Sequence, residues 1–368
     1  MTTPLYKDFD NPPHPKLGKD SHRGLWYERF FNCYEPKEDW EVDKESKMAW
    51  VKCIANSEEN CGDSTMLTLY QQRYLQLATA LRGKFRIFQT TWHFATGLGL
   101  PHPVENGFAW HPTLGVPYLA GSAIKGLLRA WLEWEDVAED KIENKIELWL
   151  GSDDSNEPCA GQLIFFDALP IKPVKLTADV MTPHFSDWCS KGNTEPDKVP
   201  ADWHVPVPIP FLAVKPNTDF LFMVAPRSQT AQALVAEAFE YLEDALEWLG
   251  AGAKTATGYG HMQRNEQTED ELKEENNKRL QEQADKNLSA EEKTLEDLRL
   301  DFEKARQNGD KKPGGTLSSS LDSAIKEAIE HWHLEWRQQL AELAEPIYKF
   351  QRRKKKSYRE NLAKLRSK

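Results

Sequence analysis

The chain has 368 residues, 39% hydrophobic, 29% charged and 11% aromatic, so it is long enough for two or three domains and, with 13 Trp, too rich in core-formers to be wholly disordered. Its net charge of −11 is uneven: Lys349–Lys368 holds ten Lys/Arg against Glu360, a local +9 that leaves −20 elsewhere. A balance this acidic excludes nonspecific nucleic-acid binding over the whole surface and requires local basic clusters, or charge supplied by other subunits.

Residues 1–70 read as irregular, with Pro12, Pro13 and Pro15 and a polar stretch over Ser57–Asp63. Leu67, Tyr70, Tyr74, Leu77 and Leu81 fall at helical spacing and predict a helix over Leu67–Leu81. Phe85–Ala95 is aromatic and β-branched and predicts a strand, followed by a Gly/Pro/His loop, Thr96–Pro117. Ser122 is placed to cap a helix whose apolar face is Ile124, Leu127, Leu128 and Trp131. Gln162–Leu169 predicts a second strand, and the long Pro-rich stretch Ile171–Val214 a functional insertion. A third strand over Phe220–Ala225, a helix over Gln229–Leu249, a glycine loop over Gly250–Gly258 and a short strand over Tyr259–Gln263 follow.

Strand, helix, strand, strand, helix, strand is the ferredoxin-like plan, an antiparallel sheet with two helices on one face and an open face where RNA-recognition modules bind. The fold class expected is therefore α+β, ferredoxin-like (RRM-like), over 85–264, after an N-terminal extension at 1–84 and with an insertion at 171–214. After Arg264 the composition turns to Glu, Lys, Gln and Asn, predicting a charged helical extension over 265–348. Within it Ser289 and Glu292 form a capping box, Lys312–Gly315 is a break, and Leu321 to Leu343 marks an amphipathic helix. The basic tail 349–368 reads either as a solubilising, partly disordered terminus or as an arm that captures RNA. No stretch approaches the apolar length that spans a bilayer, and no basic-then-apolar leader opens the chain. Cys33, Cys53, Cys61, Cys159 and Cys189 are scattered, without a Cys-x-x-Cys pair, which fits reduced thiols and a cytoplasmic location.

Gly250, Gly252, Gly258 and Gly260 surround Lys254, Thr255 and Thr257. Glycines let backbone amides approach a phosphate, Lys254 adds a point charge, and the order helix, loop, strand excludes a Walker A loop. A glycine-rich loop is by itself more often a turn. With its place before the last strand, and with Gly115-Val-Pro-Tyr-Leu-Ala-Gly-Ser-Ala-Ile-Lys-Gly-Leu-Leu-Arg129, it resembles the RAMP superfamily of CRISPR effector proteins; Ala120 stands where that family often has Pro. Further segments resemble the sixth RAMP subunit of the Cmr (type III-B) module: Thr96–Gly99, Glu105–His111, Ala160–Ala168, Asp179–His184 and Pro206–Leu212. The resemblance runs from about Leu25 to Gln263. It implies a non-catalytic RNA-binding subunit of an antiviral ribonucleoprotein, capping the complex near the guide RNA 3′ end. Its implied partners are guide RNA (crRNA), target RNA, the backbone RAMP, the first Cmr RAMP and the small subunit.

The candidate RNA-binding residues are Lys125, Arg129, Gly252, Lys254, Thr255, Thr257, Gly258, Tyr259 and Gly260. Lys125 and Arg129 share one helix face at i, i+4, which reads either as a phosphate clamp or as an ordinary solvated face; Arg129 could also brace the glycine loop. His93, His102, His111, His184 and His204 form no paired ligand motif, so no metal or cofactor is expected. The alternative function is a RAMP endoribonuclease processing precursor guide RNA, with His111 or His184 as base beside Lys254 and Tyr259. Asp167 and Asp179 are candidate carboxylates, Asp167 more naturally a turn cap. Trp110, Trp188 and Trp203 read either as base-stacking platforms or as packing.

Overall fold

A computed structural model describes residues 22–31, 42, 44–55, 60–134, 139–152, 158–185, 188–189, 199, 206–287, 289–309, 311–312, 315–353 and 355–367. The chain divides into two units, Met1–Lys273 and Glu274–Lys368. The first holds α1 (Arg23–Arg29), α2 (Lys44–Ala55), α3 (Ser64–Ala80), β1 (Lys84–Thr90), α4 (Gly121–Trp134) and α5 (Glu139–Leu150). These are followed by β2 (Gly151–Ser152), β3 (Cys159–Ala160), β4 (Leu163–Phe165), β5 (Leu169–Pro170), β6 (Leu176–Met181) and β7 (Ile209–Val214). Then come β8 (Asp219–Pro226), α6 (Gln232–Trp248), β9 (Met262–Arg264) and the start of α7 (Glu266–Asn287).

The main sheet runs β4-β8-β1-β9, with every neighbour antiparallel and β5 continuing β4 beside β8. Strand β8 reads Phe-Leu-Phe-Met-Val-Ala over 220–225, an unbroken apolar run, and such a run needs burial on both faces. Phe220, Phe222 and Val224 point with Phe88 into the principal core beneath α4 and α6, where Phe88 meets Phe222 edge-on at 5.1 Å. Leu221, Met223 and Ile87 point to the opposite face, where α3 covers them with Leu75 and Ala78, and Leu272 of α7 packs alongside. The face expected to be open for RNA is therefore closed in this region, because Leu221 and Met223 are apolar and cannot stay in water at a cost of about 1.5–3 kcal/mol each.

Several expected elements shift. Residues 1–70, read as irregular, contain α1, α2 and the start of α3, while Pro12, Pro13 and Pro15 lie outside the described residues. Tyr27 and Trp50 are buried against Val104, Phe108 and Trp110, so these helices pin down the Thr96–Pro117 loop. The strand expected to reach Ala95 stops at Thr90; Phe94 and Ala95 instead bridge to Val214 and Ala253. The insertion supplies a hairpin, β6 with β7, registered from Leu176↔Val214 to Met181↔Ile209. Asn265 caps α7, its side chain accepting from the Thr268 amide. Arg264 and Lys273 both pair with the buried Glu269.

The second unit is helical: α8 (Ala290–Gln307), α9 (Thr316–His331), α10 (Leu334–Phe350) and α11 (Lys355–Arg366). The Ser289–Glu292 capping box opens α8 as expected. The single amphipathic helix expected over Leu321–Leu343 is two helices, α9 ending at an extended Trp332. The basic tail is corrected too: α11 inserts Tyr358, Leu362 and Leu365 into this unit's core. Tyr358 stacks on Tyr348 at 4.6 Å, and Arg353 pairs with Asp322. Charge counting missed a helix whose apolar positions, 358, 362 and 365, sit at helical spacing between the lysines. No helix among the described residues is long and apolar enough to cross a membrane.

Candidate nucleic-acid interface

The glycine loop joins α6 to β9, and its shape follows from its glycines. Gly250, Gly252, Gly258 and Gly260 all have positive φ. A Cβ on Gly252 would stand 2.2 Å from the Ala95 carbonyl oxygen, and one on Gly260 1.8 Å from that of Ala251. No larger residue fits either place. Gly258 faces open space, and only its φ of +90° demands glycine.

The loop is bound on both sides. Ala253 N–H donates to Ala95 O at 2.8 Å, Gly260 N–H to His93 O at 2.8 Å, and Ala251 N–H to Gly260 O at 2.9 Å. Thr255–Thr257 form a short 3-10 turn that uses the amides of Thr257 and Gly258, and the Thr257 hydroxyl donates to Lys254 O. The amides of Ala251, Ala253, Thr257, Gly258, Tyr259 and Gly260 are thus engaged by backbone carbonyls, within the loop or at His93 and Ala95. Among the described residues, those of Gly252, Lys254, Thr255 and Ala256 have no carbonyl acceptor.

Tyr259 turns inward. It is buried, and its hydroxyl donates to the Asp179 carboxylate on β6. Burial, reinforced by that carboxylate, pushes the Tyr259 hydroxyl far above its ordinary range. Its ring packs 5.8 Å from Phe211 on β7, directly across from Asp179 in the hairpin register. Lys254, in left-handed backbone (φ 60°), also meets Phe211, its Nζ 5.4 Å from the ring centroid. Of the predicted loop residues, Gly252, Lys254, Thr255, Thr257 and Gly258 reach the surface, while Tyr259 and Gly260 are internal.

Lys125 and Arg129 stand on α4, which packs on β4, whereas the glycine loop leads into β9 at the other edge of the sheet. Lys125 is exposed, and no hydrogen bond, ion pair or ring contact among the described residues joins it to the loop. Arg129 pairs with Glu133 one turn along at 2.9 Å. The helix is capped by Asp167 rather than Ser122: its Oδ1, in the break between β4 and β5, accepts from Gly121 N–H at 2.7 Å. That cap was legible only in three dimensions, since donor and acceptor are far apart in sequence.

The histidines go to separate places. His102 stacks on Tyr27 at 4.1 Å and bonds its carbonyl; burial lowers its pKa. His111 is buried, accepts from Leu114 N–H and is likewise depressed by burial, so it is remote in role from Lys254 and Tyr259. His184 is exposed beside Phe185, and His204 and Trp203 lie outside the described residues. No group of three or more His, Cys, Asp or Glu among the described residues is placed to hold a metal. Trp110 is core, against Tyr27 and Phe108, and Trp188 is exposed. Sequence reading missed Trp92, half-exposed and edge-on to His93 at 4.8 Å, next to the anchored loop; it sat inside an expected strand, where aromatic residues raise no flag.

Residues 88–263 match the RAMP superfamily. The chain is 28% identical to the CRISPR system Cmr subunit Cmr6 of Pyrococcus furiosus, the match covering 52% of this chain and 71% of the relative. It is 26% identical to the Cmr6 of Saccharolobus solfataricus, covering 42% of this chain and 47% of that one. A chain in the cryo-EM structure of the type III-B Cmr-beta complex bound to cognate target RNA matches at TM-score 0.47 and 19% identity, covering 61% of this chain and 74% of that one. The resemblance drawn from the motifs is borne out by the family match and by the two Cmr6 relatives.

Proposed function

From a RAMP-superfamily segment at 88–263, we propose that the chain is a RAMP subunit of a type III-B CRISPR (Cmr) ribonucleoprotein, binding RNA without cleaving it. It acts in the cytoplasm in antiviral defence and caps the complex near the guide RNA 3′ end. Its neighbours are the backbone RAMP, the first Cmr RAMP and the small subunit, with guide and target RNA as ligands. The sheet order β4-β8-β1-β9, which is 2-3-1-4 in chain order, supports a ferredoxin-like core at 85–264. The parts around it are the N-terminal extension and helix 1–84, the insertion 171–214, the charged helical extension 265–348 and the basic tail 349–368.

The observation that carries the reading is the mounting of the glycine loop. It lies inside the matched segment, is locked to His93–Ala95 and to the hairpin, and offers Lys254 beside acceptor-free amides. A preset surface of this kind holds a phosphate without paying to order itself. In this reading Gly252, Lys254, Thr255, Thr257 and Gly258 meet backbone phosphates, Tyr259 and Gly260 set the loop's shape, and Lys125 and Arg129 contact RNA at the other edge.

The test is co-purification with the other Cmr subunits followed by sequencing of the bound RNA. Lys254→Ala should weaken guide binding equally across sequences and reduce the salt slope by about one; an unchanged slope refutes the loop's role. The second reading, a RAMP endoribonuclease, is decided by incubating the isolated chain with repeat RNA in EDTA. Site-specific cleavage there overturns the non-catalytic reading.

A further inference from the structure

A cavity of about 550 Å³ opens where β7 turns into β8, and it belongs to neither the glycine loop nor α4. Lys172, Lys175 and Lys215 line it, with Asn217, Thr218 and Asp219. Three lysines against one aspartate is unusual in a chain of net charge −11. We propose that this cavity is a phosphate-binding site for a single-stranded RNA backbone, a second contact that rests on the RNA-binding reading above.

The lysines are mounted rather than merely nearby. Lys215 N–H donates to Lys175 O at 2.9 Å, carrying the β6–β7 ladder one step past Leu176↔Val214 and setting the two lysines side by side. Like charges placed opposite one another on antiparallel strands are destabilising. The turn that follows is fixed: Asn217, at φ 62°, donates its N–H to Thr90 O at 2.8 Å, Thr218 N–H donates to Thr90 Oγ1, and the Thr218 hydroxyl donates to Lys215 O. Lys172 follows Ile171, whose N–H donates to Asp219 O at 3.1 Å.

Among the described residues no carboxylate pairs with any of the three. Asp219 is taken instead by the Gln89 and Asn265 side-chain amides, at 3.0 and 2.9 Å. The chain therefore bears a local repulsion that an outside anion would relieve. A second cavity of similar volume, at the β9 edge, shows the opposite character: Glu243, Glu247 and Glu266 line it with Arg264, whose charge is committed to Glu269. It would repel phosphate.

The two basic features share one support. Lys254 sits on Phe211 of β7, and Lys215 lies four residues further along the chain, just past the end of that strand, a span of about 13 Å at roughly 3.3 Å per residue. An extended polyanion can follow the hairpin from one to the other.

The experiment uses the full chain and a labelled oligouridylate, with binding read by fluorescence anisotropy as salt is raised from low ionic strength. A variant with Lys172→Gln, Lys175→Gln and Lys215→Gln together should lose about two from the slope of log K against log salt, at roughly 0.7 per phosphate contact on a single strand. Replacing the same three by Arg should keep the slope. Removing the Lys175–Lys215 repulsion should leave melting at or slightly above the wild type, so a lost slope is not a folding defect. A wild-type slope in the triple Gln variant, with Lys254→Ala still losing its contact, overturns the cavity and leaves the RNA reading standing. A triple variant that loses only inorganic pyrophosphate binding overturns it as well, making the site one for a free phosphate. Wild-type protein that binds no oligouridylate at low ionic strength sinks both.

Discussion

Gly260→Ala should be far more damaging than Gly258→Ala, although both glycines have positive φ. At Gly260 the added Cβ stands 1.8 Å from Ala251 O, a separation no carbon–oxygen pair sustains. The two limbs of the loop must separate, losing Ala251 N–H to Gly260 O and Gly260 N–H to His93 O. Left-handed backbone costs a non-glycine residue about 1–2 kcal/mol, and each buried hydrogen bond lost about 1 kcal/mol or more. The expected loss is about 4 kcal/mol. For a unit of this size that lowers the melting temperature by roughly 8–16 °C, at about 2–4 °C per kcal/mol. At Gly258 nothing lies within 4 Å of the new Cβ, so only the backbone term of about 1–2 kcal/mol applies. Gly258→Val should exceed it, since a β-branched side chain tolerates φ of +90° least. Urea unfolding followed by tryptophan fluorescence measures all three. Equal losses for the two alanine variants would refute the claim that contact at Gly260, rather than backbone conformation alone, dictates the loop.

The remaining predictions concern the groups that hold the site and the second unit. Tyr259 keeps its proton in the folded chain above its ordinary value of 10.0, while the unfolded chain sheds it there, so the unfolded state binds fewer protons and stability falls as pH rises beyond about 10. Tyr259→Phe should flatten that alkaline decline by one proton in pH-dependent urea titrations, and cost about 1–3 kcal/mol at neutral pH because Asp179 Oδ2 loses its hydroxyl donor; an unchanged alkaline slope refutes the assignment. Asp167→Ala should cost about 0.5–2 kcal/mol by uncapping α4, seen as a lower denaturation midpoint with little change in its slope. Leu365→Ala should cost about 2–5 kcal/mol, and cutting away 349–368 should expose the C-terminal helices to protease. A truncated chain as protease-resistant as the full one would mean that α11 contributes nothing to that core.

Periodicity and local chemistry in the sequence were enough to place α3, β1, α4, β8, α6 and the glycine loop, because each carries its own repeat of apolar residues or glycines. They also placed the Ser289–Glu292 cap, whose donor and acceptor are three residues apart. What they could not supply was anything that depends on residues distant along the chain. That Leu221 and Met223 are covered by Leu75 and Ala78 follows from how α3 folds back across the sheet, and the run Phe220–Ala225 hinted at it only as an excess of apolar residues. The basic tail looked like a terminus because charge was counted, whereas three apolar residues on one helical face decided its fate. Tyr259 looked like an RNA-facing side chain until Asp179, 80 residues earlier, claimed its hydroxyl. Lys172, Lys175 and Lys215 were unremarkable in the linear chain, since lysines are mostly solvated. The β6–β7 pairing brought Lys175 and Lys215 side by side, and the proposed phosphate site rests on that concentration of charge.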